Sequence, residues 1–147
     1  MREITLTSTF TVYDSRAELP TDVQHLMEQA EDARTYSYSP YSRFRVGAAL
    51  LLDNGEIIKG SNQENASYPA GLCAERTAVF YAGANYPHAR MLKMCITVQS
   101  GDYIVDRPAA PCGICRQVLA VYEIKQDSPL EIYLMRETGQ VLKADGI

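Results

Sequence analysis

Apolar and polar residues alternate strictly near the start of the chain. Ile4, Leu6, Ser8, Phe10 and Val12 fall on one side, and Thr5, Thr7, Thr9 and Thr11 on the other. A period of two predicts a strand with one buried face. From Val23 the period lengthens, with Val23, Leu26, Met27, Ala30 and Ala33 recurring at helical spacing. Thr21 followed by Gln24 resembles a capping box, and this first amphipathic helix is expected to end before Tyr36. The tyrosine-rich stretch from Tyr36 to Ser42 reads as a loop, because Pro40 biases Ser39 away from helix. Phe44 to Leu52 is an apolar run whose Gly47-Ala48-Ala49 centre suits a strand closely approached by another element. Asn54-Gly55 tolerates the positive φ of a tight hairpin, so Ile57 to Ser61 should pair back antiparallel.

A second helix is expected from Leu72 to Tyr81 or a little beyond, its Ala74, Ala78 and Ala82 forming a small-residue stripe that lets it lie close on a sheet. Met94 to Ser100 reads as a third core strand. Pro111 suits the first turn of another helix, where its missing N–H costs nothing, and Cys112, Cys115, Leu119 and Tyr122 then share a face. Leu130 to Met135 and Val141 to Leu142 close the chain as strands. No repeat, low-complexity tract or linker divides residues 1–147, so one domain is expected. Strands interleaved with helices, together with antiparallel hairpins, predict an α/β layered domain with a mixed β-sheet.

A chain of 147 residues is long enough to bury a core without staples. Its formal net charge of −4 argues against a surface that neutralises many phosphates, and long nucleic acids are poor candidate partners. No basic stretch followed by an apolar run opens the sequence, and no segment holds enough consecutive apolar residues to span a bilayer. Export and membrane association are therefore not expected, and a cytoplasmic location follows by default. In that setting a C-x-x-C opening a helical pattern reads as metal or redox chemistry in preference to a disulfide.

The chemistry concentrates in Tyr68-Pro-Ala-Gly-Leu-Cys73-Ala74-Glu75-Arg76 and, further on, Pro111-Cys112-Gly113-Ile114-Cys115. A C-x-E followed at a distance by P-C-x-x-C is the established signature of zinc-dependent nucleobase deaminases. Cys73, Cys112 and Cys115 would fill three corners of a zinc tetrahedron and leave the fourth for water. Glu75, two residues from a ligand, could exchange protons with that water without binding the metal. Two helix N-termini pointing at one metal would favour thiolates. The competing reading is a structural site closed by Cys95. Against it, Cys95 lies mid-strand in an apolar run, where a cysteine usually acts as a small hydrophobe, and a structural site needs no general base. His25 and His88 read as structural or solvated residues, and the tyrosines near Pro40 as packing.

On these residues the chain resembles the small homotetrameric cytidine deaminases of the three-cysteine type. The resemblance runs from about Tyr38 to about Leu134. It rests on Tyr38-x-Pro40-Tyr41-Ser42-x-Phe44, Val46-Gly-Ala-Ala-Leu50, Asn62-x-Glu64-Asn65, Cys73-Ala74-Glu75-Arg76 and Pro111-Cys112-Gly-x-Cys115-Arg-Gln117. It implies a three-layer α/β/α sandwich, one zinc per subunit, a small-molecule nucleoside substrate, and a homotetramer whose active sites are shared across subunits. It makes Asn62 and Glu64 ribose binders, the Ala74 backbone and Glu75 base readers, and Phe44 a wall against the pyrimidine. Tyr68 would reach the ribose of a neighbouring subunit, and Arg76 would donate to the cysteine sulfurs. The implied reaction is hydrolytic deamination of free cytidine and deoxycytidine to the uridine nucleosides, as in pyrimidine salvage. A blasticidin-type deaminase shares the metal motifs and remains the alternative, followed by a non-catalytic zinc-stabilised module. Two features depart from the family: the N-terminal strand has no counterpart in its shorter members, and the final Ala144-Asp-Gly-Ile147 lacks the apolar segment that commonly ends in an aromatic over the base.

Overall fold

The computed structural model of the protein describes residues 1–5 and 7–147. A single sheet organises it, built from β1 (Thr11–Tyr13), β2 (Phe44–Leu52), β3 (Ile57–Ser61), β4 (Met91–Ser100), β5 (Glu131–Met135) and β6 (Val141–Asp145). The spatial order is β1-β6-β5-β4-β2-β3, parallel between β4 and β5 and antiparallel elsewhere, so the sheet is mixed as expected. Parallel neighbours require a crossover, and α3 (Gly113–Gln126) with its preceding loop supplies it.

Helices cover both faces. Helix α1 (Thr21–Thr35) buries Val23, Leu26, Met27 and Ala30 against Ala49, Cys95, Tyr133, Met135 and Val141. On the other face α2 (Ala74–Asn85) and α3 set Ala74, Ala78, Val79, Ala82 and Leu119 over Ala48, Leu50, Met94, Ile96, Ile132 and Leu134. The result is a three-layer α/β/α sandwich. Two glycines of the β2–β3 hairpin allow helix backbone to touch sheet backbone. A Cβ on Gly47 would collide with the Ala30 carbonyl and the Arg34 amide of α1, and one on Gly60 with the Ala74 carbonyl and the Ala78 amide of α2. The hairpin turns at Gly55 with φ +87°, as Asn-Gly predicts.

The structure corrects several expected boundaries. Among the described residues of the alternating segment only Thr11–Tyr13 pair, in register with Val141–Lys143. Neither core cluster reaches Phe10 or Val12, which are about half exposed, and Ile4 is more exposed still, so these residues of the face expected to be buried are not. Leu6 lies outside the described residues. Helix α1 starts after Pro20 with no side-chain cap: the Gln24 amide donates to the Leu19 carbonyl at 2.8 Å, so the Thr21–Gln24 capping box does not form. Helix α2 begins at Ala74, because Leu72 is still extended and bridged to Gln63, and it runs on to Asn85. Pro111 precedes α3, whose N-cap is Cys112.

Candidate metal and active site

Cys73 and Cys112 hold equivalent places, each the extended residue that caps a helix, with φ/ψ of −73°/156° and −66°/167°. Cys115 follows one turn into α3 and is buried. Gly60 admits the start of α2 onto β3, and the Thr77 hydroxyl bonds the Cys73 carbonyl at 3.1 Å and the Ser61 carbonyl at 3.3 Å. The first turn of α2 is thereby fixed to the sheet. The three Sγ atoms lie within 4.8 Å of one another, with Cys112 and Cys115 at 3.5 Å.

Tetrahedral zinc with bonds of about 2.3 Å wants sulfurs about 3.8 Å apart, so the donor set fits the ion in both chemistry and spacing. Cys95 does not join it. Its thiol packs on the α1 face of the sheet, 3.9 Å from the Val23 carbonyl, and burial pushes its pKa up, as suits an inert core thiol. The Cys112→Ala variant is therefore expected to lose zinc and Cys95→Ala to retain about one equivalent, measured by elemental analysis of the purified proteins. Equal loss in both would mean a closed four-cysteine site.

The electrostatics favour one thiolate before any metal arrives. The Cys115 thiol donates to Cys73 and Arg76 adds its charge, which together bring Cys73 down to about 5. The same negative sulfur pushes Cys115 the other way, with desolvation adding to it. Arg76 Nη2 stands 3.7 Å from Cys73 Sγ, and this contact raises the guanidinium pKa further. Arg76 Nε is buried and, among the described residues, has no hydrogen-bond partner. Glu75, in the first turn of α2, is only 6% exposed, and burial raises its pKa above that of an ordinary glutamate.

Beside the cluster opens a cleft of about 630 Å³ lined by Phe44, Asn62, Glu64, Tyr68, Cys73, Glu75, Arg76 and Cys112. Phe44 and Cys112, 68 positions apart in sequence, thus share one cavity. Ala74 sits between the ligand and the glutamate with its methyl buried in the core, and it is not among the residues that line the cleft. Tyr68 stands at the rim, 78% exposed, in a short 3-10 turn from Tyr68 to Ala70. The half-buried Glu64 is held by the Tyr41 and Ser42 amides at 2.9 and 3.2 Å and by the Ser42 hydroxyl. Burial alone would raise its pKa, but these three donors bring it below the usual carboxylate value. Asn62 braces the start of β2: its side-chain oxygen accepts from the Val46 amide at 2.8 Å and the Ser37 hydroxyl at 2.5 Å, and its nitrogen donates to the Phe44 carbonyl at 2.9 Å. One N–H of Asn62 remains. Neither His25 nor His88 borders the cleft, and both are exposed.

Sequence reasoning gave no part to Ser42, Leu72, Ile96 or Ala109-Ala110, which also line the cleft. Ser42 belongs to the Pro40-Tyr41-Ser42 run, which reads as a loop and as part of the family motif but carries no role of its own in the sequence. The other four carry no polar signal.

A layered α/β/α domain in which two helix caps bring three cysteines together beside a buried glutamate defines a zinc hydrolase site. Residues 20–127 match the family described as the cytidine and deoxycytidylate deaminase zinc-binding region, and the chain belongs to that family. It is 50% identical over 99 residues to a cytidine deaminase of Halalkalibacterium halodurans, covering 67% of this chain and 70% of that one. A cytidine deaminase of Sporosarcina psychrophila is 38% identical over 120 residues, covering 82% of each. A crystal structure of cytidine deaminase from Burkholderia pseudomallei superposes with a TM-score of 0.69 at 37% identity, covering 86% of this chain and 93% of that one.

Proposed function

We propose that the protein is a zinc-dependent cytidine deaminase that hydrolyses free cytidine and deoxycytidine to uridine and deoxyuridine with release of ammonia, a step of pyrimidine salvage. The observation that carries this reading is the pairing of a three-sulfur cluster with a buried, protonatable Glu75 on the wall of one nucleoside-sized cleft. Zinc, when bound, supplies a Lewis acid that makes water nucleophilic near neutral pH.

The chain's own residues do the rest. The Glu75 carboxylate takes one proton from the attacking water as its oxygen bonds to the amine-bearing carbon and delivers it to the adjacent ring nitrogen; it then takes the second proton from that oxygen and gives it to the amine, which leaves as ammonia as the C–N bond breaks and the carbonyl forms. Burial raises its pKa and so makes it a stronger base for the first transfer, for which it must be ionised. Phe44 packs against the pyrimidine, and the Ala74 backbone and Glu75 read its polar edge. Glu64, already ionised and held by three donors, accepts from a ribose hydroxyl while the remaining Asn62 N–H donates to one. Held in place in advance, these groups need little reorganisation when substrate binds. Tyr68, at the rim, meets the sugar of a neighbouring subunit in a homotetramer. Phe80 and Tyr81 on α2 and Val121 and Ile124 on α3, all exposed in the single chain, support that assembly. Four free cysteines suit a reducing cytoplasm, and no described helix is long and apolar enough to cross a membrane. The net charge of −4 supports a small substrate over a long nucleic acid.

Ammonia release from cytidine, with cytosine and blasticidin S as comparators, tests the assignment. Turnover of cytidine supports it, and turnover of blasticidin S alone would move the protein to the antibiotic deaminases.

Arg76 tunes the site in this scheme. Three thiolates leave a zinc site with one net negative charge, which opposes ionisation of the attacking water. One unit charge at about 5 Å and an effective dielectric of about 20 is worth about 3 kcal/mol, or some two pKa units. The guanidinium beside Cys73 offsets part of this. Arg76→Gln is expected to keep zinc, lose turnover and shift the acid limb of the pH profile upward, and adding Cys73→His should recover part of the loss. A kcat and pH profile within about twofold of wild type would reduce Arg76 to a surface charge.

A further inference from the structure

The described residues ahead of β1 take no part in the cleft and have no strand partner among the described residues. β1 is an edge of the sheet, and its inner side is used by β6. Because Thr11 lies opposite Lys143 and β6 ends at Asp145, continued pairing would run out near Thr9. Yet this segment has the most regular strand pattern in the chain, and Ile4, Phe10 and Val12 are all exposed. An unpaired strand edge with such a pattern is a template for another strand.

What identifies the partner is that the segment reads alike in both directions about Ser8. Setting a second copy antiparallel, with Ser8 opposite Ser8, places Thr7 opposite Thr9, Leu6 opposite Phe10, Thr5 opposite Thr11 and Ile4 opposite Val12. Arg2 then falls opposite Asp14 at both ends. From Ile4 to Val12 each apolar position meets an apolar one and each threonine a threonine, Glu3 meets Tyr13, and the end charges are complementary; matched apolar, threonine and opposite-charge pairs are those that stabilise antiparallel strands. Sliding the copies by two residues in one direction opposes Arg2 to Arg16 and Ile4 to Asp14, and in the other sets Arg2 against Val12. A slide of one residue would send facing apolar side chains to opposite faces.

We propose that residues 2–14 form a two-stranded antiparallel ribbon with the same residues of a second copy of this chain, joining the two six-stranded sheets edge to edge across a two-fold axis at Ser8. Such a contact is isologous, and within the homotetramer proposed above it closes when its two-fold coincides with one of the tetramer's own axes. A free two-stranded ribbon is marginal in water, but each strand here is already anchored through Thr11–Tyr13 to its own sheet.

The test is site-specific cross-linking in the full-length, zinc-loaded protein under mild oxidation, read on non-reducing gels. The two-fold puts position 8 beside its own copy, within reach of a disulfide, whereas position 5 lies about 20 Å from its copy. Ser8→Cys is expected to give covalent dimers at least ~10-fold faster than Thr5→Cys, with wild type as the background from native cysteines. Arg2→Asp and Asp14→Arg should each slow the Ser8→Cys cross-link, and the two together should restore it. Equal rates at the two positions, no dimer from Ser8→Cys, or failure of the charge swap to restore the rate would overturn the proposal. These outcomes would leave the segment to its own chain or to a different protein.

Discussion

Glu75→Gln is expected to lower kcat by at least ~10²–10⁴-fold while zinc remains bound, measured by ammonia release alongside metal content. The amide keeps the shape of the side chain and can still hydrogen-bond, but it cannot take the proton. A second readout separates chemistry from damage. Burial raises the pKa of Glu75 in the folded state, so the charged form costs stability once the pH exceeds the unfolded value, and this penalty is complete above the folded one. Removing the ionisable group should therefore leave Tm at pH 7 unchanged or raised while turnover collapses. Turnover near wild type would take Glu75 out of the mechanism, and a large fall in Tm would assign it a structural role instead.

Free cytosine is expected to be a poorer substrate than cytidine by on the order of 10⁴-fold in kcat/KM. A pocket that hydrogen-bonds a sugar through Asn62 and Glu64 leaves those groups without their partner when the sugar is missing. Glu64 carries that cost because it is held ionised by three donors and cannot turn away. The family resemblance directs these contacts to the 3′-hydroxyl, so deoxycytidine should be processed comparably to cytidine. Competition assays with the three compounds decide it: efficient deamination of cytosine, or rejection of deoxycytidine, would contradict the roles given to Asn62 and Glu64.

Much of this site was legible in the sequence because metal chemistry leaves a rigid record. Three cysteines at fixed offsets from helix starts, with a glutamate two residues from one of them, have few other uses, and the structure brings their sulfurs together. The bracing of the cleft was not legible. Asn62 ties Val46, Phe44 and Ser37 together, and Ser42 holds Glu64, yet each pairing depends on a register that only the folded sheet establishes. Element boundaries failed where tertiary contacts override local pattern. Helical periodicity alone would start α2 at Leu72, but the bridge to Gln63 keeps that residue extended and makes Cys73 the cap. Strict alternation extends the strand back to Ile4, whereas a strand also needs a neighbour: β6 pairs with Thr11–Tyr13 and, ending at Asp145, could reach no further than Thr9.

The glycine contacts of the β2–β3 hairpin set how the cleft can be reshaped. Gly47 and Gly60 lie one step of register apart and seat helices on opposite faces, backbone against backbone. Such a seat has no side chain to repack, so it acts as a hard stop: any residue larger than glycine must lift α1 or α2 bodily. Lifting α2 would carry Cys73 and Glu75 with it, away from Cys112 and Cys115 on α3. The loop of residues 101–110 has no such backbone seat, and it contributes Ala109 and Ala110 to the cleft wall. The cleft wall can therefore change in size there without shifting α2, while the hairpin fixes where α2 carries Cys73 and Glu75.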